Sequence, residues 1–342
     1  VIGITGSNGK TIVKEWLYQL LGNEKKVIRS PKSYNSQVGV PLSVWQLGEK
    51  HEMAIFEAGI SEPEEMQSLQ KIINPTIGIF TNIGQAHDEN FINTQQKIGE
   101  KLKLFTKVET LIYNADHKEL KEIIIKSGIL NNINTFSWGK DADCDLVISK
   151  IEKQDKKTVI QAVFQEKELT ISIPFTDNAS VENALHCWAT MLYLGLNQND
   201  IVEKMMALTP IAMRLELKEG INNCTIINDS YNSDFNSLSI ALDFLNQQNQ
   251  HREKLIILSD ILQSGRNEVD LYTEVAVLLE QKYIDAIIGI GPAISRQADK
   301  FKIKKAFFKT TESFLQSYPF GNFNHQSILL KGARVFEFEQ IS

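Results

Sequence analysis

The chain has 342 residues, enough for two or three domains of ordinary size. Hydrophobic residues make up 42% and charged residues 23%, which describes a globular protein with substantial cores; no apolar run approaches the roughly 20 residues needed to span a bilayer, so membrane insertion is not expected. A net charge of −6 argues against nucleic-acid binding driven by bulk electrostatics, and three widely spaced cysteines (Cys144, Cys187, Cys224) match no metal pattern and point to a reduced, cytoplasmic setting.

In chain order, short β-branched runs alternate with amphipathic segments, the rhythm of parallel α/β units. The sequence opens without methionine on VIGIT, a buried strand by composition; a core strand at the first residue leads us to expect missing residues upstream. A glycine-rich turn leads into KTIVKEWLYQLL, where Ile12, Trp16, Leu17 and Leu20 recur at helical spacing. EMAIFEAG, TIGIFTNIG and TLIYNAD read as further strands, whose carboxyl ends hold Glu57, Asn82 and Asp116. Ligands of such folds lie beyond those ends. Between about 143 and 174, CDLVISKIE, KTVIQAVFQ and ELTISIPF read as a small antiparallel sheet, followed by two helices to about Leu208. Pro210 marks a boundary. Beyond it, CTIINDS, KLIILSD, IDAIIGIG, KAFFK and QSILLKG are strands of a second, Rossmann-like α/β unit, without a dinucleotide-binding glycine motif after its first strand. The expected architecture is α/β: residues 1–209 form a phosphate-loop domain with a mainly parallel sheet plus the small antiparallel one, and residues 210–342 form the second domain.

The chemistry starts in GSNGKT. A phosphate cradle needs backbone N–H groups converging at a helix N-terminus, a lysine, and a hydroxyl for Mg²⁺. Gly6, Ser7, Asn8 and Gly9 supply the loop, Lys10 the cation for the β- and γ-phosphates, and Thr11 the metal hydroxyl. The glycine stands later than in the commonest phosphate loop: Ile4 occupies that place and Gly6 follows. A plain βα turn with a surface lysine is the simpler alternative. Further on, Ile98, Leu102, Phe105 and Val108 share one helical face; Lys101 falls within that arc, Lys97 lies on a similar side, and Lys103 points away. An inward lysine is costly unless paired or neutral, and periodicity does not choose between Lys97 and Lys101.

The TGxxGKT loop, SYNSQVGVPLSV, FEAGISEPEEM, TNIGQAHDENF, NASVENALHCWA, MRLEL, INDSYNSDFNSL and LLKGAR together resemble, in order, the segments of the Mur ligases, the ATP-dependent ligases of bacterial cell-wall synthesis. The resemblance is nearest to the member that joins D-Ala-D-Ala to UDP-MurNAc-tripeptide. It implies ATP and two Mg²⁺ ions, with Thr11, Glu57, His87 and a carbamylated Lys101 as metal ligands, and Lys10, His87 and Lys101 as catalytic residues. Asn183 would contact adenine, Arg214 the phosphates and Asp229 the ribose. Asn35, Tyr231, Asn232, Lys331 and Arg334 would meet substrate. It also implies an N-terminal uridine-binding domain outside these residues, and ARVFEFEQI resembles the form fused to an alanine racemase, so the chain reads as a fragment that binds ATP and ligates little by itself. A folylpolyglutamate synthetase, or a module that binds ATP without turnover, are the alternatives. Departures are Ile12 for a hydroxyl residue, Phe235 for proline, Ala333 for serine, and a loose LSDILQSGRNE that leaves a role for Asp260 in doubt.

Overall fold

The computed structural model describes residues 1–84, 91–127, 133–248, 250–262 and 264–342. The chain divides into two compact units, Val1–Thr209 and Pro210–Ser342.

The first unit runs β1 (Ile2–Thr5), α1 (Lys10–Leu21), β2 (Val27–Arg29), α2 (Gly39–Val44), β3 (Met53–Glu57), α3 (Glu65–Ile73), β4 (Ile77–Phe80), α4 (Thr94–Leu102), β5 (Thr110–Asn114), α5 (Lys118–Lys126), β6 (Asn134–Gly139), β7 (Leu146–Lys153), β8 (Thr158–Phe164), β9 (Lys167–Ile173), α6 (Asn178–Tyr193) and α7 (Gln198–Met206). Its sheet has the order β2-β3-β1-β4-β5-β6-β7-β8-β9. The strands from β2 to β7 are parallel, and β7, β8 and β9 then run antiparallel. The expected antiparallel strands are therefore the far end of the same sheet: Trp138 and Gly139 of β6 pair with Leu146 and Val147. A two-residue register is too short to leave a trace in the sequence pattern.

Both faces of the central strands are covered, which is why β1 reads as a continuous apolar run rather than an alternating one. Strand β1 lies between β3 and β4, so the chain leaves it in one direction for β2 and β3 and in the other for β4 and β5. This is a topological switch point, the place where such sheets leave a crevice beyond their carboxyl ends. Helix α6 is the central helix: Asp177 caps it by accepting from Ser180 N, and it buries residues around most of its circumference, from Val181 to Leu192. Helix α1 buries Val13, Lys14, Trp16, Leu17, Leu20 and Leu21. Ile12, expected on that face, is only half-buried, because the helix turns its Lys14 side toward the end of β3.

The second unit comprises β10 (Glu216–Glu219), β11 (Thr225–Asp229), α8 (Phe235–Gln247), β12 (Glu253–Ser259), α9 (Glu268–Gln281), β13 (Ala286–Ile290), α10 (Pro292–Arg296), β14 (Lys304–Phe308), α11 (Thr311–Ser317) and β15 (Gln326–Lys331). The order β10-β11-β15-β12-β13-β14 is parallel except for β10. Its sheet separates two apolar clusters, one under α8 and α9 around Leu242, Leu258 and Val275, the other around Ile257, Phe314 and Leu330. Among the described residues no helix is long and apolar enough to cross a membrane.

Candidate active site

The loop between β1 and α1 is shaped by two glycines. Gly6 has φ 145°, and a Cβ there would lie 2.0 Å from Thr81 Oγ1; Gly9 has φ 81°, and a Cβ would lie 2.3 Å from Asn183 Oδ1. Neither position accepts a side chain. The loop carbonyls are turned to protein donors: Lys10 Nζ donates to Gly6 O (2.7 Å) and Ser7 O (3.0 Å), and Thr81 Oγ1 donates to Asn8 O. The stretch after β4 braces it from the other side. Ser7 N donates to Asn82 O and Asn8 N to Asn82 Oδ1, both at 2.9 Å, and Ser7 Oγ donates to Gly84 O. Among the described residues no side chain caps α1 at Gly9, so its first turn presents backbone N–H groups and a positive dipole end where an anion would sit.

Beside the loop, Thr11 Oγ1 donates to Glu57 Oε2 at 2.9 Å and lies 3.1 Å from Ser33 Oγ. Glu57 is fully buried at the end of β3, and its other oxygen, Oε1, takes Lys14 Nζ at 3.3 Å. Lys14 is itself fully buried; its ammonium also donates to the carbonyls of Ser30 and Lys32 and lies 3.1 Å from Glu15. A buried cation thus faces a buried carboxylate. Sequence reasoning missed Lys14. The signal that singled out Lys101, a lysine inside an apolar helical arc, was present here too.

Helix α4 brings Lys97 and Lys101 inward together, and Phe105 packs over Gly78, where a Cβ would lie 2.4 Å from its ring. Lys101 Nζ lies 3.4 Å from Gly6 O, while Lys97 Nζ donates to Gly84 O. Burial pushes the Lys101 ammonium well below its ordinary range, and the neighbouring charges of Lys10 and Lys97 push it further. Lys103 faces outward and pairs with Glu100. His87 lies outside the described residues.

The adjoining end of β5 carries a second polar group. His117 Nε2 meets Glu182 Oε1 at 2.7 Å, and Asn114 Nδ2 reaches the same oxygen at 3.4 Å. The Glu182 hydrogen bond outweighs desolvation and raises His117; burial opposes ionisation of Glu182, yet the imidazole's hydrogen bond and charge prevail and hold it low. Asn183, the next residue on α6, is buried against Gly9. Asn35 is half-buried against Gly59, whose N–H donates to Asn35 O at 2.7 Å, two residues from Glu57. Asp116, at the end of β5, accepts from Lys140 N and serves the chain locally.

In the second unit, the carboxyl ends of β11 and β15 collect the remaining residues. Register sets Asp229 opposite Lys331. The side chain of Lys331, expected to meet anionic substrate, is buried, and its Nζ donates to Asp229 Oδ2 at 2.7 Å. A strand pattern gives a side chain's face but not its partner on the next strand. The Arg214 guanidinium lies 4.2 Å from the Tyr231 ring centroid and that of Arg334 at 5.7 Å, two cations sharing one aromatic ring. Asn232 is half-buried beside them. Asp234 caps α8, and Phe235 is that helix's first residue, a position where proline and ordinary residues both fit because its N–H has no helical partner. Asp260 accepts from the N–H groups of Ala293 and Ile294 at the start of α10; Gly291, at φ 143°, leaves room for its carboxylate.

Hard oxygen donors of one hydroxyl and one carboxylate, 2.9 Å apart beside an anion-binding helix end, suit Mg²⁺ held jointly with phosphate and water. Among the described residues no three His, Cys, Asp or Glu side chains gather into a metal-holding group.

A strand, a glycine loop and a helix end at a switch point, with a buried carboxylate alongside, define a phosphate-loop α/β protein. The chain belongs to the Mur ligase family: residues 4–191 match the model of the Mur ligase middle domain. It is similar to the UDP-N-acetylmuramoyl-tripeptide–D-alanyl-D-alanine ligase of Bacillus subtilis, 27% identical over 350 residues covering 100% of this chain and 74% of that protein. Among solved structures, MurF from Acinetobacter baumannii matches with a TM-score of 0.85 at 24% identity, covering 99% of this chain and 75% of that one. MurF from Thermotoga maritima in complex with ADP matches with a TM-score of 0.80 at 20% identity, covering 99% and 78%. The chain therefore spans about three-quarters of each of these proteins.

Proposed function

We propose that this chain is the catalytic part of an ATP-dependent, ADP-forming ligase that joins D-Ala-D-Ala to UDP-MurNAc-tripeptide in peptidoglycan precursor synthesis. The observation that carries the proposal is the loop of residues 6–11 with Glu57 set against Thr11, in a chain whose relatives bear that name along its whole length. A carboxylate oxygen of the tripeptide attacks the γ-phosphorus, giving an acyl phosphate and ADP. The D-Ala-D-Ala amine then attacks the acyl carbon, the amide forms, and inorganic phosphate leaves with the original carboxylate oxygen. Gly6, Ser7, Asn8 and Gly9 cradle the triphosphate, and Lys10 offsets charge growing on the γ-phosphoryl group. Asn183 is assigned to the adenine, Asp229 to the ribose and Arg214 to the phosphates. Asn35, Tyr231, Asn232 and Arg334 are assigned to the acceptor and precursor, with Lys331 acting through Asp229. An N-terminal domain of the kind the resemblance implies would hold the uridine end.

Magnesium, when bound, would neutralise the approaching anions; Thr11 and Glu57 would hold one ion, and His87 with Lys101 a second. Lys101 fits that duty as a carbamate. Burial and the neighbouring Lys10 and Lys97 charges disfavour its ammonium form; the amine would attack CO₂, losing a proton and gaining a carboxylate-like oxygen pair. In the complete gene product, Lys101→Ala is expected to lower ligation by at least about 10²–10³-fold, with partial recovery on adding a short carboxylic acid. Unchanged ligation would remove Lys101 from the mechanism. A cytoplasmic setting is supported by three buried free thiols. The function itself is tested by ADP release across acceptors: it should require both UDP-MurNAc-tripeptide and D-Ala-D-Ala. Release driven instead by glutamate and a folate would transfer the chain to the folylpolyglutamate branch.

A further inference from the structure

We propose that His186 is a positioning residue for the nucleotide phosphates, acting through Thr81: its Nε2–H holds the Thr81 carbonyl, and Thr81 with Asn82 forms the mould against which the phosphate loop is shaped. The inference rests on reading residues 6–11 as a triphosphate cradle.

His186 lies on α6, one turn after Asn183, and is fully buried. An imidazole in such a place needs a partner on each nitrogen. Trp138 Nε1 can only donate, and it points at His186 Nδ1 from 3.1 Å, with the two rings edge to face. Nδ1 must therefore accept, Nε2 must carry the proton, and Nε2–H donates to Thr81 O at 2.7 Å. A doubly protonated ring would set N–H against N–H. Burial agrees, holding the imidazolium down at about 4.

Thr81 is bound on three sides. Its N–H donates to Thr5 O at 2.9 Å, its Oγ1 donates to Asn8 O, and its carbonyl accepts from His186. The carbonyl and the Asn82 N–H share one peptide plane, so fixing the first orients the second. Asn82 then receives the N–H groups of Ser7 and Asn8. With Asn183 packed on Gly9, α6 supports both ends of the loop. A histidine that merely filled the core would not need a forced tautomer aimed at this carbonyl.

Two substitutions separate positioning from packing. His186→Gln extends an amide N–H to about the reach of Nε2 and keeps a donor for Thr81. His186→Asn keeps a polar group near Trp138 but falls short of Thr81. Affinity for a non-hydrolysable ATP analogue with Mg²⁺ and for AMP is read by calorimetry, alongside Tm. His186→Asn is expected to weaken the triphosphate analogue about tenfold with little change for AMP, and His186→Gln to stay within about threefold, whatever Tm each loses. Equal weakening by both, or loss tracking Tm alone, would overturn the inference. A measurement on the unsubstituted chain stands beside these: ¹⁵N-histidine spectra should show His186 as the neutral Nε2–H tautomer, and a protonated or Nδ1–H ring would overturn it. Failure of the unsubstituted chain to bind the analogue would instead count against the cradle itself.

Discussion

At the residue scale the site is governed by how buried charges are compensated. Glu57 and Lys14 are both fully buried, and Thr11 and Lys14 divide the two carboxylate oxygens between them. Lys14→Met would strand a carboxylate and leave the carbonyls of Ser30 and Lys32 without their ammonium donor. Removing one partner of a buried pair costs about 3–5 kcal/mol. Chemical denaturation should show a loss of that size, with part of it recovered in Lys14→Met/Glu57→Gln. A loss no larger than that of a surface substitution would mean that Lys14 does not hold Glu57. This pair also shows what sequence could and could not reveal. Glu57 was legible because a strand end and a family segment coincide there. Lys14 was not, because its counter-charge comes from a strand 43 positions away. Lys331 and Asp229 repeat the lesson across 102 positions.

At the scale of elements, the loop is the product of three of them: β1 delivers it, α1 receives it, and the residues after β4 mould it. Gly6→Ala would put a methyl 2.0 Å from Thr81 Oγ1 and 2.9 Å from the backbone of Asn82, at a φ of 145°. We expect it to destabilise by more than about 1 kcal/mol and to weaken nucleotide binding. Gly99→Ala, inside α4 where a Cβ meets nothing within 4 Å among the described residues, should stabilise by about 0.5–1 kcal/mol. Thermal unfolding of the two variants checks both signs, and a tolerated Gly6→Ala would contradict the moulded loop. The long periodic elements were legible: KTIVKEWLYQLL is helix α1 from its first residue to its last. The short ones were not. Strand β2 is three half-buried residues and β10 is largely exposed, so neither shows alternation, and β6 is buried as an unbroken run from Phe136 to Gly139. They are strands because neighbours offer them a hydrogen-bonded edge, which a local pattern cannot record.

At the scale of the whole chain, two α/β units carry the residues of one proposed reaction. The first supplies the phosphate loop, Glu57 and Lys101; the second gathers Asp229, Arg214, Tyr231 and Arg334 at adjacent strand ends. Family membership was legible because the motifs recur in order along nearly the full sequence, not because any one of them is decisive. In the proposed reaction these residues activate a carboxylate by phosphorylating it. The most direct test labels the terminal carboxylate of UDP-MurNAc-tripeptide with ¹⁸O and follows the complete gene product with ATP, Mg²⁺ and D-Ala-D-Ala by mass spectrometry. One ¹⁸O is expected in each inorganic phosphate released, in step with ADP and the ligated peptide; ligation with unlabelled phosphate would contradict an acyl phosphate.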